Sequence, residues 1–445
     1  MVTSILWKKF TRELVENKGT FLSIASILAL GIGIFLTLGI TYQSLEYSRD
    51  YYYLQGNMAG FLIHVKKAPL STLPLLQKIQ GVRQLESRLQ FDIIVDLPHV
   101  QQPLGGRIYS LPRGGSSLIN RVFLLAGSFF SRDWEHEILV NWRFAKAHGL
   151  KVGDTLSLIL QKQKKKFRIQ GFVITPEYIY IQAPGSIMPD FRRYGIFFMD
   201  RRALERYFHF QGSYNQLLGI YDQANPSLTQ TVLTRIKTLL EPYGVILSSQ
   251  RKDFPSHGMI QNELNSLKVM ATVLPFIFLL ISAMILHIML SRRIEKSRIE
   301  IGTLRALGFT IQEIKNYYFL FGLIIGLLGL LGGILLGILL AKGLLSIYKD
   351  YFTFPQFFFR VSILHILFTF LFGVSFSILG VWRATQRIAL LQPAESMRPP
   401  KPKTGKPIFL EKFLPFWRVL PLTTRFTLRN LFRSWKRSLM TILAI

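Results

Sequence analysis

Four stretches of this chain contain no Asp, Glu, Lys or Arg, and they limit its possible folds more than any other feature. Each is 22 to 25 residues long. As a helix rising about 1.5 Å per residue, each can cross a hydrocarbon core of about 30 Å. Buried helices of a soluble protein are the alternative, but four uncharged runs of this length do not fit one soluble core. We therefore predict transmembrane helices at residues 21–42, 269–290, 317–341 and 361–382.

The distribution of basic residues predicts how these helices are oriented. The net charge is +29, and more than half of it lies in residues 1–20, 291–316 and 383–445. Short loops on the cytoplasmic side of a membrane are enriched in Lys and Arg, so we expect the N-terminus and these segments to be cytoplasmic. Nucleic acid is not a predicted partner, because the chain is 49% hydrophobic and no nucleic-acid-binding motif accompanies the charge. The absence of cysteine excludes disulfides and cysteine-ligated metals.

The predicted fold class is an α-helical multi-pass membrane protein with a large α+β extracytoplasmic domain inserted between spans one and two. Charge and hydropathy divide the chain into ten segments. They are a cytoplasmic amphipathic helix (1–20), the first span (21–42), the extracytoplasmic domain (43–268), the second span (269–290), a cytoplasmic loop with a coupling helix (291–316), the third span (317–341), a short outer loop (342–360), the fourth span (361–382), a basic cytoplasmic linker (383–437) and the start of a truncated fifth span (438–445).

The outer domain combines strand-like and helix-like patterns and carries no recognisable chemistry. His136 lies between Glu135 and Glu137, but this spacing fits no metal motif, and no nucleophile motif is present. We therefore predict no catalytic and no metal-binding residue. The predicted strands are 61–65, 91–97, 155–160 and 167–174, with a hairpin turn at 161–166, and the predicted helices are 70–79, 140–148, 201–208 and 228–240, the third capped by Asp200.

The loop after the second span has the signals of two consecutive helices. The apolar spacing of 299–307 predicts a short helix, and Gly308 lies where a left-handed residue ends such a helix. Thr310 and Glu313 then form the pattern of a capping box for the next helix. A short helix across the inner membrane face suits force transfer from a soluble partner. The alternative is a simple amphipathic surface helix.

Small residues recur every four positions in two of the predicted spans, which places them on one helix face. Such faces let helix backbones approach closely, so we predict that both spans pack against other helices. His287 and His365 also lie within predicted spans, and we interpret both as interfacial because each is near the end of its span. The predicted packing residues are Ala25, Ala29 and Gly33 in the first span and Gly329, Gly333 and Gly337 in the third.

The end of the chain resembles its beginning. Residues 429–445 and 12–27 each have a basic amphipathic start followed by an apolar run. Large repeats of this kind occur in transport proteins, so we interpret the chain as the first half of a duplicated protein, cut within a fifth span. The alternative is a tail helix that merely resembles the N-terminal one.

Several segments, in chain order, resemble one family of membrane proteins. Residues 300–308 (EIGTLRALG) resemble the loop signature of the FtsX-like (MacB/LolC/LolE-type) permeases of ABC transporters. Residues 390–398 (LLQPAESMR) resemble the PAE-x-LR stretch that follows the last span in that family. In the outer domain, residues 137–141 (EILVN) and 149–156 (GLKVGDTL) resemble the family's E-x-x-hydrophobic and GLKVGD patterns.

The resemblance implies that this chain works with a separate P-loop ABC ATPase. ATP would be bound by that partner, because this chain has no G-x-x-x-x-G-K-[ST] motif and is predicted to be neither an enzyme nor a cofactor-binding protein. ATPase dimerisation would move the spans and the MacB-like outer domain, which would extrude or release a lipid, lipoprotein or similar amphiphile. The predicted ATPase contacts are Glu300, Gly302, Arg305, Ala306 and Gly308.

The resemblance also implies a setting and further partners. The protein would lie in the bacterial cell (inner or plasma) membrane, in contact with membrane lipid and with a second permease half or subunit. Two other functions stay open at this point. One is a non-transport mechanotransmitter that regulates a cell-wall hydrolase, and the other is a membrane-anchored enzyme or receptor whose site lies in 43–268.

Overall fold

The computed structural model describes residues 2–98, 100, 102, 104–112, 114–115, 117–131, 133–183, 185, 188–222, 229–386, 388 and 421–433. The chain forms two compact units. The helical unit lies within residues 1–41, 267–343 and 361–445, and the α+β unit lies within residues 42–266 and 344–360. The predicted fifth span at 438–445 and the motif at 390–398 lie outside the described residues.

The described helices include several that are much longer than the uncharged windows. In chain order they are α1 (Val2–Glu16), α2 (Lys18–Gln55), α3 (Leu73–Gln77), α4 (Trp142–Ala147), α5 (Arg201–Phe208), α6 (Thr229–Leu240), α7 (Pro255–Lys296), α8 (Arg298–Ala306), α9 (Ile311–Tyr351), α10 (Ile363–Thr385) and α11 (Leu422–Arg433). Within the described residues, α2, α7, α9 and α10 are long and apolar enough to cross a membrane. Each of these helices contains most or all of one predicted span.

The helical unit has its largest apolar cluster where six helices meet. Phe10 of α1, Phe21 of α2 and Phe321 of α9 are each at most 3% exposed. The rings of Phe21 and Phe321 stack with 5.2 Å between centroids. Ile301 of α8 and Val381 of α10 are buried in the same cluster. Burial of such side chains contributes about 1.5–3 kcal/mol each in water, so this cluster fixes α1 and α8 on the bundle.

The α+β unit is built on two sheets. Its strands are β1 (Phe61–Pro69), β2 (Val82–Arg88), β3 (Gln90–Asp96), β4 (Leu104–Leu111), β5 (Phe123–Gly127), β6 (Glu137–Asn141), β7 (Thr155–Leu160), β8 (Gln163–Ile174), β9 (Tyr194–Asp200), β10 (Ser213–Tyr221) and β11 (Val245–Gln250). The smaller sheet has the order β11-β1-β10-β2, and the larger has the order β5-β8-β6-β9-β4-β3-β7. Because β7 also pairs with β8, the strands β8, β6, β9, β4, β3 and β7 form a closed ring.

Most secondary structure predicted in the outer domain is confirmed. β7 and α5 have the predicted bounds. The Asp200 side chain caps α5 by accepting a hydrogen bond from the Arg202 backbone N–H at 2.9 Å. β1, β3 and α6 agree within a few residues at their ends. The predicted helix at 70–79 is shorter, with a 3-10 turn at Leu70–Thr72 before α3.

Two further elements are present, a helix near 140–148 and a hairpin after β7, but their predicted bounds are wrong. The predicted helix 140–148 begins instead as the buried strand β6, and α4 starts only at Trp142 with Asn141 as its cap. A short, fully buried strand has a continuous apolar pattern that periodicity cannot distinguish from a helix. The predicted turn 161–166 is a two-residue turn at Gln161 and Lys162, both with positive φ. The lysines that follow are exposed on the strand β8.

Candidate functional site

The short helix α8 has one anchored face and one exposed face. Ile301 is 1% exposed and packs in the apolar cluster with α1 and α9, and Gly302 beside it is also buried. On the other side, Ile299 is 60% exposed and Leu307, just after the helix, is 72% exposed. Ala306 is exposed between them. α8 is therefore fixed by a few residues and presents apolar side chains outward.

The predicted charged contacts of α8 differ in their surroundings. Glu300 is 58% exposed and forms an ion pair with Lys9 of α1. Arg305 is half-buried in the last turn of the helix. Gly308 has φ +96°, the left-handed conformation that ends α8, and a Cβ there would meet no atom within 4 Å. Glycine is therefore favoured at this position because of its left-handed backbone conformation, since a side chain would meet no neighbouring atom.

The predicted capping box is present at the start of α9. Glu313 Oε2 accepts hydrogen bonds from the Thr310 N–H at 2.8 Å and from the Thr310 hydroxyl at 2.9 Å. Thr310 Oγ1 in turn accepts from the Glu313 N–H at 3.2 Å. These bonds satisfy free N–H groups at the helix start and fix the turn between α8 and α9.

The N-terminal helix α1 connects α8 to the end of α7. Lys9 contacts both Glu13 on its own helix and Glu300 on α8. Arg293 of α7 donates to Glu13 at 2.6 Å, with both side chains 16% exposed. The Arg293 guanidinium also lies 5.0 Å from the centre of the Phe321 ring. A displacement of α8 would therefore disturb ion pairs that hold α1 and α7 together.

The small residues predicted for helix packing meet each other. We call Ala29, Gly33, Gly329, Gly333 and Gly337 the glycine seam. A Cβ on Gly333 would lie 2.6 Å from Ile32 and 2.9 Å from the carbonyl oxygen of Ala29. A Cβ on Gly337 would lie 3.0 Å from the Gly33 carbonyl oxygen. The backbones of α2 and α9 therefore lie too close for any side chain at these positions.

Neighbouring residues extend this contact in both directions. A Cβ on Gly329 would lie 2.6 Å from the Leu28 side chain. Ala25, one turn before Ala29, is 4% exposed and belongs to the apolar cluster around Phe21. At the other end, the Thr37 hydroxyl donates to the Gly337 carbonyl oxygen at 3.1 Å, a polar link between α2 and α9.

Comparison with known proteins identifies the segment that contains α8 and much of the seam. A model of the FtsX-like permease C-terminal family matches residues 272–393. This region belongs to the FtsX-like permease family. The resemblance of the sequence to that family is thereby confirmed. The match covers α8, α9 and α10 completely and most of α7, and an ABC permease of this family implies a partner ATPase.

Two solved structures are similar to part of the chain. The extracellular domain of the noncanonic ABC-type transporter YknZ from Gram-positive bacteria is 8% identical, with a TM-score of 0.28, covering 42% of this chain and 98% of its own. The periplasmic region of MacB from Actinobacillus actinomycetemcomitans is 12% identical, with a TM-score of 0.28, covering 48% of this chain and 95% of its own. A search of curated proteins gave no match.

The sequence interpretation missed a second close contact in the FtsX-like region. The His365 ring stacks on Phe35 with 4.8 Å between centroids. It fills the space beside Gly39, where a Cβ would lie 1.9 Å from His365 Nε2. Gly39 continues the four-residue spacing of Phe35 and Gly31 on α2, a signal that becomes readable only once the partner helix is known.

A buried polar network in the α+β unit was also missed. Arg88 is 6% exposed, and its guanidinium donates to both carboxylate oxygens of Glu177 at 2.6 and 2.7 Å. Asn120 donates to the same carboxylate at 3.0 Å. Arg88 Nε also donates to Gln216, which is fully buried, and the guanidinium lies 4.1 Å from the centre of the Tyr109 ring. No cluster of three or more potential metal ligands occurs among the described residues.

The network determines the protonation of His64. Because Gln216 Oε1 accepts from Arg88, the Gln216 amide nitrogen must be the donor to His64 Nε2, 2.9 Å away. His64 Nε2 is then an acceptor, so the neutral ring carries its proton on Nδ1. Burial, together with the charges of Arg88 and Arg107, lowers the pKa of His64 to about 4.

This pKa predicts that the α+β unit loses stability in mild acid. His64 has an ordinary pKa of about 6.5 when unfolded, so the unfolded chain binds a proton that the folded one does not between pH 6.5 and 4. We expect His64 to contribute about 2–3 kcal/mol to the free energy of unfolding above pH 6.5, and we expect this contribution to be lost as the pH falls to 4. Chemical denaturation of the full chain in detergent, as a function of pH, measures this slope.

The variant His64→Gln removes the contribution of His64 alone, because the glutamine oxygen can still accept from Gln216; His257, whose pKa burial also lowers to about 4, is unchanged in it. Its unfolding free energy should change less between pH 6.5 and 4 than that of the wild type. Burial raises the pKa of Glu86, which acts in the opposite direction but equally in both proteins. An identical slope in the two proteins would contradict the role of His64.

Proposed function

We propose that this chain is the membrane-spanning subunit of an ABC system that transmits motion from a partner ATPase through α8. The ATP is bound by the partner, and the motion extrudes or releases a lipid, lipoprotein or similar amphiphile. The chain lies in the bacterial inner or plasma membrane with its N-terminus cytoplasmic, and a second permease half or subunit completes the assembly.

The observation that carries the proposal is the two-sided character of α8. A helix used only to cover the bundle would bury its apolar residues, yet Ile299 and Leu307 are 60% and 72% exposed. Exposed apolar side chains flanked by charged residues are typical of a protein interface. Glu300 and Arg305 are the flanking charges here, and they provide ion-pairing partners for the ATPase.

The anchoring of α8 explains how a push on its exposed face would reach the membrane helices. Ile301 packs against α1 and α9, and the capping box of Thr310 and Glu313 fixes the turn into α9. α9 then contacts α2 along the glycine seam without intervening side chains. Closely packed helices move together, since any relative displacement creates overlaps. Motion of α8 is therefore passed to α9 and from α9 to α2.

Substitution of the exposed apolar residues of α8 tests this proposal. We expect Leu307→Asp and Ile299→Asp to abolish co-purification of a P-loop ATPase from native membranes, because a carboxylate replaces an apolar contact at the centre of the interface. ATP hydrolysis by the membrane fraction should lose its stimulation by the chain. The measurement is affinity purification in mild detergent with identification of every co-purifying polypeptide.

The matched control is Ile246→Asp, which changes an equally exposed isoleucine of the α+β unit, 67% exposed, in the same way. It should retain the ATPase. Arg305→Glu should weaken the association less than Leu307→Asp does, because an exposed ion pair contributes about 1 kcal/mol or less. Recovery of no ATPase with the wild-type chain in several detergents would overturn the proposal.

A further inference from the structure

The α+β unit contains a cavity of about 540 Å³ between its two sheets. Volumes of 300–1,000 Å³ are typical of small-molecule sites. One wall is a face of the smaller sheet, with His64 from β1, Gln216 from β10 and Ser249 from β11. The opposite wall is formed by Arg107 of β4 and Tyr194 of β9 in the larger sheet. The cavity therefore belongs to neither sheet alone.

The charged side chains at the cavity walls already have hydrogen-bond partners within the protein. Arg107 donates to Asp92 at 2.7 Å. Both carboxylate oxygens of Glu177, which also lines the cavity, accept hydrogen bonds from Arg88 Nη2. Asp253 accepts from the Gln250 N–H and caps a short helical turn. A neutral ligand does not have to compete with these groups for their partners, whereas an ionic ligand would compete with the buried pair of Arg88 and Glu177.

The other lining residues supply hydroxyls, amides, aromatic rings and a few aliphatic side chains. The hydroxyls of Tyr109 and Tyr178 bond to each other, and Gln216 donates to Gln90 Oε1 at 2.8 Å. The Tyr194 hydroxyl is buried beside Asp92, and burial is the main cause that raises its pKa. A hydroxyl oxygen in one hydrogen bond keeps a lone pair that can accept another, so the cavity has polar groups that can bind a ligand.

We propose that this cavity binds a saccharide of one or two rings. Sugars are neutral, they present several hydroxyls to amide, hydroxyl and imidazole groups, and their rings have C–H faces that pack on aromatic side chains. Tyr109, Tyr178, Tyr180, Tyr194 and Phe254 supply such aromatic surface. A disaccharide also matches the volume. The cavity is separate from α8, so a test of saccharide binding does not depend on the proposed coupling to an ATPase.

Binding is measured directly on the full chain purified in a detergent without a sugar headgroup, such as octaethylene glycol monododecyl ether. Isothermal titration and saturation-transfer NMR would use maltose and N,N′-diacetylchitobiose as probes. We expect a Kd of millimolar or tighter for at least one of them. Dodecyl maltoside is titrated as a third probe. Binding of this glycoside, without binding of either free sugar, would indicate that the natural sugar is attached to a lipid.

A cavity-filling variant locates the site. Ser249→Trp places an indole in the cavity without altering the Arg88 network, and it should weaken saccharide binding at least tenfold. The control is Ile246→Trp on the same strand, at an exposed position that does not line the cavity, and its affinity should stay within twofold of wild type. The proposal is overturned if neither the two sugars nor the glycoside binds, if Ser249→Trp binds normally, or if inorganic phosphate or trialanine binds in place of the sugars.

Discussion

Gly333→Val should destabilise the helical unit more than any other single substitution in the glycine seam. The new side chain would overlap Ile32, and its Cβ would approach the backbone oxygen of Ala29, which cannot rotate away. Overpacking a close contact costs about 1–3 kcal/mol, and a backbone contact places the cost at the upper end. Thermal unfolding of the full chain in detergent should therefore show a midpoint several degrees lower.

The same helix provides the matched control. Gly343 of α9 is exposed, and a Cβ there would meet no atom within 4 Å. Gly343→Val makes the same chemical change with the same small gain of helix propensity, so its midpoint should stay near that of the wild type. If both variants lost the same stability, overlap at Gly333 would not explain the effect, and the close contact of α2 and α9 would be refuted.

Glu177→Gln should destabilise the α+β unit by about 3–5 kcal/mol, because it leaves the buried Arg88 charge without a counter-ion. Arg88 and Glu177 side chains are 8% and 12% exposed, so water cannot replace the lost carboxylate. Removing both charges together, as Arg88→Met with Glu177→Gln, should recover a large part of that loss. Chemical denaturation of the four proteins gives the coupling energy as a double-mutant cycle.

An exposed pair in the same unit gives the contrast. Arg107 also donates to a carboxylate, but that residue, Asp92, has a side chain 69% exposed. Asp92→Asn should lower the free energy of unfolding by about 1 kcal/mol or less because solvent screens the pair.

Additive effects of the Arg88 and Glu177 substitutions would mean that the buried pair contributes no coupling energy, and the account of the polar network would be wrong.

The features that could be predicted from the sequence are those that depend on residues close together in the chain. The capping box of Thr310 and Glu313 and the left-handed Gly308 each involve a few consecutive positions, so their chemistry is visible in the letters. The small residues of the glycine seam were also found, because their four-residue spacing is a property of one helix. The sequence could not predict which helix these residues contact, because the contact joins Gly333 to Ile32, about 300 residues away in the chain.

The polar network and the cavity could not be predicted for the same reason. Arg88, Glu177, Gln216 and His64 come from separate parts of the chain and follow no periodic pattern. Only the pairing of β1 with β10 and of β10 with β2 brings three of them together on one sheet face. The wrong start of the helix predicted at 140–148 has a local cause, because a buried strand followed by a capped helix gives one continuous apolar signal.

The closed ring of strands has a mechanical consequence. Each of β3, β4, β6 and β9 is hydrogen-bonded to a neighbour on both sides, so none of them can separate without breaking two ladders at once. A load applied to one of these strands is shared around the whole ring. The ring therefore resists shear as one stiff body, and its six strands are displaced together.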